Sequence, residues 1–169
     1  IQQTEIDSAV KFRLGFPMGI FELADFTGLD VIHKATVEMH VRDKKVILPH
    51  PTIEQLFNEK KLGQKSGEGF YKYSDDKYER IPLSEELAQK CNPIQIIGNI
   101  LNNAAWLVTN NASDIDEIEK AANLGLGLKK PLFETAKEIG MQKIVDELNQ
   151  LSKKYGTFYE PDSLLLSMC

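Results

Sequence analysis

The chain has 169 residues, 42% of them apolar and 27% charged, and a formal net charge of −5. That length suits one ordinary domain or two small ones with a normal core, and the acidic balance argues against nucleic acid, whose backbone draws on clustered Lys and Arg. No apolar run reaches the roughly 20 residues of a membrane span, residues 1 to 20 lack the order of a signal peptide, and Cys91 and Cys169 are too isolated for a disulfide framework or a zinc site. The cytosol is the expected compartment. The chain opens on Ile1 rather than Met, and it reads as a piece of a longer polypeptide.

In chain order, Thr4-Glu5-Ile6-Asp7 has the form of a helix start, and Ile6, Val10 and Leu14 with Ala9 and Phe12 continue a helical stripe up to Gly15. Pro17-Met18-Gly19 breaks the chain before an apolar-rich segment from Ile20 to about His40, interrupted at Gly28, which fits two helices or one kinked helix. Pro51 starts a short helix over Ile53 to Lys61. From Leu62 to Pro82 the periodicity vanishes and Gly, Tyr, Ser and Asp rise, so this segment reads as an extended loop joining two halves, 1–80 and 81–169.

Asn92-Pro93 opens a helix whose Ile96, Ile97, Ile100, Leu101, Ala104, Ala105, Leu107 and Val108 predict a broad buried face. Trp106 is expected in the core with them. Ser113 to Asp116 starts the next helix, which Gly125 and Gly127 close, and Asp114 to Glu119 is read as its solvated, acidic opening. After Pro131 the helical pattern resumes, Gly140 interrupts it, Ile144, Val145, Leu148 and Leu151 continue it, and Gly156 ends it before a last short helix from Pro161 to Met168. No period-two strand is predicted anywhere.

Sliding the chain along itself by 112 positions pairs Ile6 with Ile118, Ala9 with Ala121, Leu14 with Leu126, Gly15 with Gly127, Phe21 with Phe133, Glu22 with Glu134, Ala24 with Ala136 and Gly28 with Gly140, without a gap. These matches retain both the apolar face and the breaking glycines, as a duplicated helical unit requires. The second copy stops where the first goes on to Lys65-Ser66-Gly67-Glu68-Gly69, and only the second copy shows the helix from Asn92 to Thr109.

Chemistry candidates are few. Gly67 and Gly69 beside Lys65 suggest a phosphate cradle, but the segment has neither Gly-x-x-x-x-Gly-Lys-Ser/Thr nor Gly-x-Gly-x-x-Gly after a strand. A turn that lets Phe70, Tyr71 and Tyr73 pack back onto the helices, with Lys65 in water, fits better. His33 and His40 lie about 10.5 Å apart along a helix, too far for a shared metal, and His50 stands in a Pro-rich turn. Glu22 and Asp25, three apart, could form an acid/base pair, although a carboxylate at a helix start more often serves the dipole and the exposed N–H groups.

Two segments read together carry a resemblance. Gly15 to Val31 (GFPMGIFELADFTGLDV) and Lys61 to Tyr73 (KLGQKSGEGFYKY) resemble the Gly-Tyr/Phe-Pro-Met-Gly-Pro-Phe-Glu-Leu-x-Asp-x-x-Gly-Leu-Asp and Lys-Thr-Gly-x-Gly-Phe-Tyr segments of the C-terminal helical domain of 3-hydroxyacyl-CoA dehydrogenases. The resemblance covers Thr4 to Tyr73 and, through the repeat, extends more weakly over Ile96 to Met168. It implies an all-α fold of two related helical units in tandem, similar to the 6-phosphogluconate dehydrogenase C-terminal bundle and duplicated as in multifunctional fatty-acid oxidation proteins.

By the same resemblance, a Rossmann domain would bind NAD, and the helices would complete an acyl-CoA cleft and form a homodimer. Some family members also carry a fused enoyl-CoA hydratase domain. The family's catalytic His and Glu belong to the Rossmann domain and its catalytic Asn to a helix before Thr4, so no catalytic residue is assigned here, and Asn92, followed by Pro93 where the family has Arg, reads as a cap. The implied cofactor-binding residue is Lys65, at the place of the family's Lys that reaches the nicotinamide cofactor, with Ser66 keeping the hydroxyl. Ile20 departs from the family's second Pro, and Lys129-Lys130-Pro131 stands in the second copy for Pro17-Met18-Gly19, so copy two is read as structural. Two rivals stand beside this reading: a stand-alone helical protein-interaction module of the same ancestry, and a complete small enzyme using Glu22, Asp25 and Lys65.

Overall fold

The fold was analysed in a computed structural model, which describes residues 1–74, 82–128 and 130–169. The described residues form ten α-helices and two short 3-10 turns, with only the isolated bridges Gly63–Glu68 and Glu68–Lys72 as extended pairing. The all-α expectation therefore holds. The helices are α1 (Gln3–Arg13), α2 (Ile20–Thr27), α3 (Leu29–Arg42), α4 (Pro51–Asn58), α5 (Glu85–Ala88), α6 (Ile94–Thr109), α7 (Ile115–Leu126), α8 (Leu132–Ile139), α9 (Met141–Tyr155) and α10 (Ser163–Ser167). None among them is long and apolar enough to cross a membrane.

The residues divide into two compact units, one of Ile1–Val10 and Met18–Cys91, the other of Lys11–Pro17 and Asn92–Cys169. The division expected between residues 80 and 81 falls in 75–81, outside the described residues, as does Lys129.

The repeat is visible in the helices. Moving α1, α2, α3 and α4 along by 112 positions lands on α7, α8, α9 and α10. Gly28 and Gly140 make the same break between the second and third helix of each copy, with φ of 98° and 103°, a region that side chains with a Cβ avoid. At each break the glycine N–H returns to a carbonyl four residues back, Ala24 O in one copy and Ala136 O in the other, both at 2.9 Å.

The unit containing α6 has a continuous apolar core. Ile94, Ile97, Leu101, Ala104 and Ala105 of α6 are buried with Leu132, Phe133 and Ala136 of α8, Met141, Ile144, Val145 and Leu148 of α9, and Leu165 of α10. Each fully buried aliphatic there contributes roughly 1.5–3 kcal/mol before entropy is subtracted. Gly98 lets α9 lie close, since a Cβ there would sit 3.3 Å from Ile144 Cγ2. Asn102 ties down the entry to α10 by donating to Glu160 O and accepting from Asp162 N, each at 2.8 Å, and Asp162 caps α10 by accepting from Leu164 N.

In the other unit the buried apolar residues, Ala9, Val10, Leu29, Tyr71, Ala88 and Cys91, are joined by the buried polar residues Asp7, Ser8, Glu22 and Asp25. His50 Nδ1 accepts from Thr52 N and starts α4, while the His33 ring stacks on Phe57 at 4.2 Å.

Three local expectations change. Trp106 is 56% exposed rather than core, because the buried stripe of α6 runs through Ile94, Ile97, Leu101 and Ala105, and Trp106 falls on the opposite face with Asn103 and Asn110. Helix α1 starts at Gln3, so Thr4 lies inside it and Asp7 is freed from capping its own helix. Asp114 does cap α7, accepting from Glu117 N at 2.8 Å, but Glu119 at the end of the acidic run is not simply solvated: it accepts from Leu132 N and Phe133 N at 2.6 and 2.7 Å and closes the start of α8.

Candidate functional site

The two segments that carry the resemblance meet in one place. Asp7, on α1, accepts from Phe21 N at 2.9 Å and Glu22 N at 3.0 Å, covering the free N–H groups that open α2. Glu22 turns back to accept from Gly19 N at 2.7 Å. Asp25, one turn on, accepts from Phe70 N and Tyr71 N, each at 2.9 Å, and from Tyr73 Oη at 2.8 Å. Tyr71 Oη donates to Asp7 Oδ2 at 2.9 Å, so this one residue links the two carboxylates, Asp25 through its backbone N–H and Asp7 through its hydroxyl. The rings follow, with Phe70 edge-to-face on Phe21 at 4.6 Å.

The glycines are needed because the loop backbone passes against Asp25. A Cβ on Gly69 would collide with Asp25 Oδ1 and lie 2.7 Å from Asp25 Cγ, and one on Gly63 would lie 2.6 Å from Asp25 Cα. Gly-x-Gly-Phe-Tyr is thus an anion cradle, and the anion it holds is the protein's own Asp25 carboxylate. Ser66 completes the turn, its hydroxyl accepting from Leu62 N at 2.7 Å and lying 2.9 Å from Glu68 O.

The electrostatics follow the burial. Desolvation pushes the Asp7 carboxyl above its ordinary value, opposed by the Phe21 N–H, the Tyr71 hydroxyl and the Glu22 N–H. Burial, then the neighbouring Asp7 charge, drives the Tyr71 phenol up, so it stays a donor. Asp30, in the first turn of α3, is held below its ordinary value chiefly by its hydrogen bond from Lys65.

Glu22 and Asp25 are 5% and 1% exposed and spent on backbone donors, so neither presents a carboxyl to a substrate. The structural role expected of Glu22 is the one observed. Lys65 lies in the 3-10 turn Gln64–Ser66, with its side chain 46% exposed and its ammonium paired with Asp30 rather than wholly in water. An ammonium has three donors, so the pair with Asp30 leaves this half-exposed group with donors to spare. Asp7 escaped the sequence reading because its partners lie 14 and 15 residues away. The repeat held the clue: Glu119, the residue 112 positions on, keeps the carboxylate and the task.

Among the described residues no group of three His, Cys, Asp or Glu side chains could hold a metal ion. His40 Nδ1 lies 2.5 Å from Val46 O, and His50 is taken up by its cap.

Comparison with known proteins fits this geometry. The model of the family described as 3-hydroxyacyl-CoA dehydrogenase, C-terminal domain, matches residues 1–73 and again 95–169. The chain belongs to that family and carries its helical domain twice. The mitochondrial hydroxyacyl-coenzyme A dehydrogenase of Rattus norvegicus is 45% identical over 71 residues, 41% of this chain and 23% of that protein. The crystal structure of 3-hydroxybutyryl-CoA dehydrogenase from Escherichia coli K12 shares the fold with a TM-score of 0.77 at 19% identity, over 99% of this chain and 54% of that one. The dehydrogenase part of multifunctional enzyme 1 from C. elegans gives a TM-score of 0.67 at 21% identity, over 99% of this chain and 42% of that one. The chain thus spans about a quarter of the rat relative and about half of the E. coli structure.

Proposed function

We propose that the chain is the C-terminal portion of an NAD-dependent 3-hydroxyacyl-CoA dehydrogenase of fatty-acid β-oxidation, with 1–80 and 81–169 as its two helical units. Its partners on this reading are its own N-terminal Rossmann domain, an acyl-CoA substrate and a second copy in a homodimer, and a fused enoyl-CoA hydratase domain fits the multifunctional relatives. NAD, held mainly by the Rossmann domain, accepts the hydride when bound. Lys65 supplies one charged donor to it, and the helices wall part of the acyl-CoA cleft. The observation that carries the reading is the double match to the family's helical domain, with Lys65 exposed on a loop fixed by Asp25.

The homodimer has separate support. Leu23 and Phe26 on α2 are 43% and 63% exposed, whereas the corresponding positions of α8 hold Thr135 and Glu138. Apolar residues at positions the sister copy keeps polar suit a covered surface. The rat relative is mitochondrial by name, whereas the sparse cysteines, Cys91 and Cys169, suit the reducing cytosol proposed here.

Acetoacetyl-CoA reduction by NADH tests the enzyme reading. The 169-residue chain alone is expected to give no turnover, and the longer polypeptide that contains it is expected to be active. Turnover by the chain alone would revive the small-enzyme rival, and an inactive longer polypeptide would favour the interaction module. Sedimentation of the Phe26→Glu variant is expected to show monomer where the parent dimerises.

A further inference from the structure

We propose that Asp30 is a positioning residue for Lys65: it holds the ammonium over Gly28 so that its remaining donors face a dinucleotide bound by another domain. This rests on the cofactor reading of Lys65 given above. Three observations carry it. The turn that bears Lys65 is fixed from beneath, by Asp25 on the N–H groups of Phe70 and Tyr71 and by the Ser66 hydroxyl on Leu62 N. A fixed backbone does not fix a lysine, whose four-carbon stem is flexible, and the acid that anchors its head is Asp30, with a side chain only 25% exposed.

Gly28 forms the slot for this pair. A Cβ there would lie 2.7 Å from Lys65 Nζ, 3.1 Å from Lys65 Cε and 2.9 Å from Asp30 Oδ1. Finally, the sister copy keeps the backbone without the pair. Gly140 repeats the left-handed φ, yet a Cβ on it would meet only the Lys143 stem at 3.6 Å or more, and Gln142, the counterpart of Asp30, turns instead to Asp146 at 2.8 Å. The equivalent break between α8 and α9 thus forms without an acid at this position, so the break itself does not require the Asp30 carboxylate, whose first partner is the lysine.

The test has two arms. In the 169-residue chain, lysines are acetylated with a limiting activated ester and quantified by mass spectrometry in the parent, Asp30→Asn, Asp30→Glu and, as a surface control, Asp43→Asn. Lys65 is expected to react about two- to five-fold faster in Asp30→Asn, the range an exposed ion pair allows. Asp30→Glu is expected to restore part of the protection, with Lys61, Lys72 and the control unchanged. An unchanged Lys65 rate, or a rise shared by all lysines, would overturn the proposal.

In the longer polypeptide, Asp30→Asn is expected to raise KM for NADH while kcat stays within about two-fold, as loss of uniform binding does. If Lys65→Met raises KM for NADH and Asp30→Asn does not, positioning fails and the cofactor reading survives. If Lys65→Met leaves KM unchanged, the cofactor reading fails, and the dinucleotide-facing role of Asp30 with it, whatever the labelling rates show.

Discussion

The two copies share one backbone plan and hold it by different means. In the second, α6 lies on α8, α9 and α10, and the buried residues between them are apolar except for Asn102. In the first, four buried polar groups and two tyrosines occupy the centre, with Asp7 and Asp25 between them accepting four backbone N–H groups and two hydroxyls. Apolar packing is non-directional and tolerates drift, whereas a carboxylate clamp requires its donors at set distances. The clamped copy is also the one that keeps the family's loop, with Lys65 on it. On the proposed role of Lys65, directional bonding falls in the copy that must place a surface group, and apolar packing in the copy read as structural.

Breaking each copy at its own support should separate these two modes most sharply. Leu148→Ala in α9 is expected to cost about 2–5 kcal/mol by urea unfolding, as large-to-small changes in a packed core do. At the matching position of α3 the residue is already Thr36, half-buried and donating to Ile32 O, so Thr36→Ala is expected to cost about 1 kcal/mol or less. A large loss in Thr36→Ala would mean that the first copy also depends on packing there.

Asp25→Ala is expected to cost about 3 kcal/mol, since it strands the N–H groups of Phe70 and Tyr71 with their partner gone. Hydrogen exchange should show protection lost at these two amides, with α8 and α9 unchanged. A loss spread evenly over both copies would contradict the division of labour.

Exchanging the helix-closing acids sharpens the comparison at smaller cost. Asp7 is buried and reaches Phe21 N and Glu22 N, while Glu119 is longer, half-buried, and reaches Leu132 N and Phe133 N, one position earlier in the repeat. Glu119→Ala should cost about 1–2 kcal/mol, the worth of a helix cap. Asp7→Glu should cost more than Glu119→Asp, because an added methylene must enter a filled site.

The smallest effect is in pH. Asp7 has its folded value raised above 3.8, so the folded chain holds more protons in the window above 3.8, and stability falls as pH rises through it. Asp30 has its value lowered, so its contribution is present above 3.8 and fades as pH falls through the depressed value. Carboxyl carbon NMR should therefore find Asp7 titrating at higher pH than Asp30. The reverse order would mean that the hydrogen bonds to Asp7 outweigh its burial.

Much of the architecture was legible in the chain. Apolar spacing at three and four residues marked the helices, and Gly28 and Gly140 marked equivalent breaks because each copy needs the same left-handed backbone there. The 112-residue offset then tied α1 through α4 to α7 through α10. Trp106 was misread because composition cannot choose a face of α6, and Glu119 because an acid near a helix start looks solvated until a second helix is brought to it.

What the residues determined alone is therefore local: helices, breaks and their repetition, each set by dihedral preference and the 3.6-residue period. Only the tertiary structure decided what Gly-x-Gly-Phe-Tyr is for. Its N–H groups could have faced any anion, and Asp25 claims them because α2 and the loop, 45 residues apart in the chain, are packed within hydrogen-bond reach. The same packing brought Asp30 to Lys65, a pairing across 35 residues that sequence spacing does not encode.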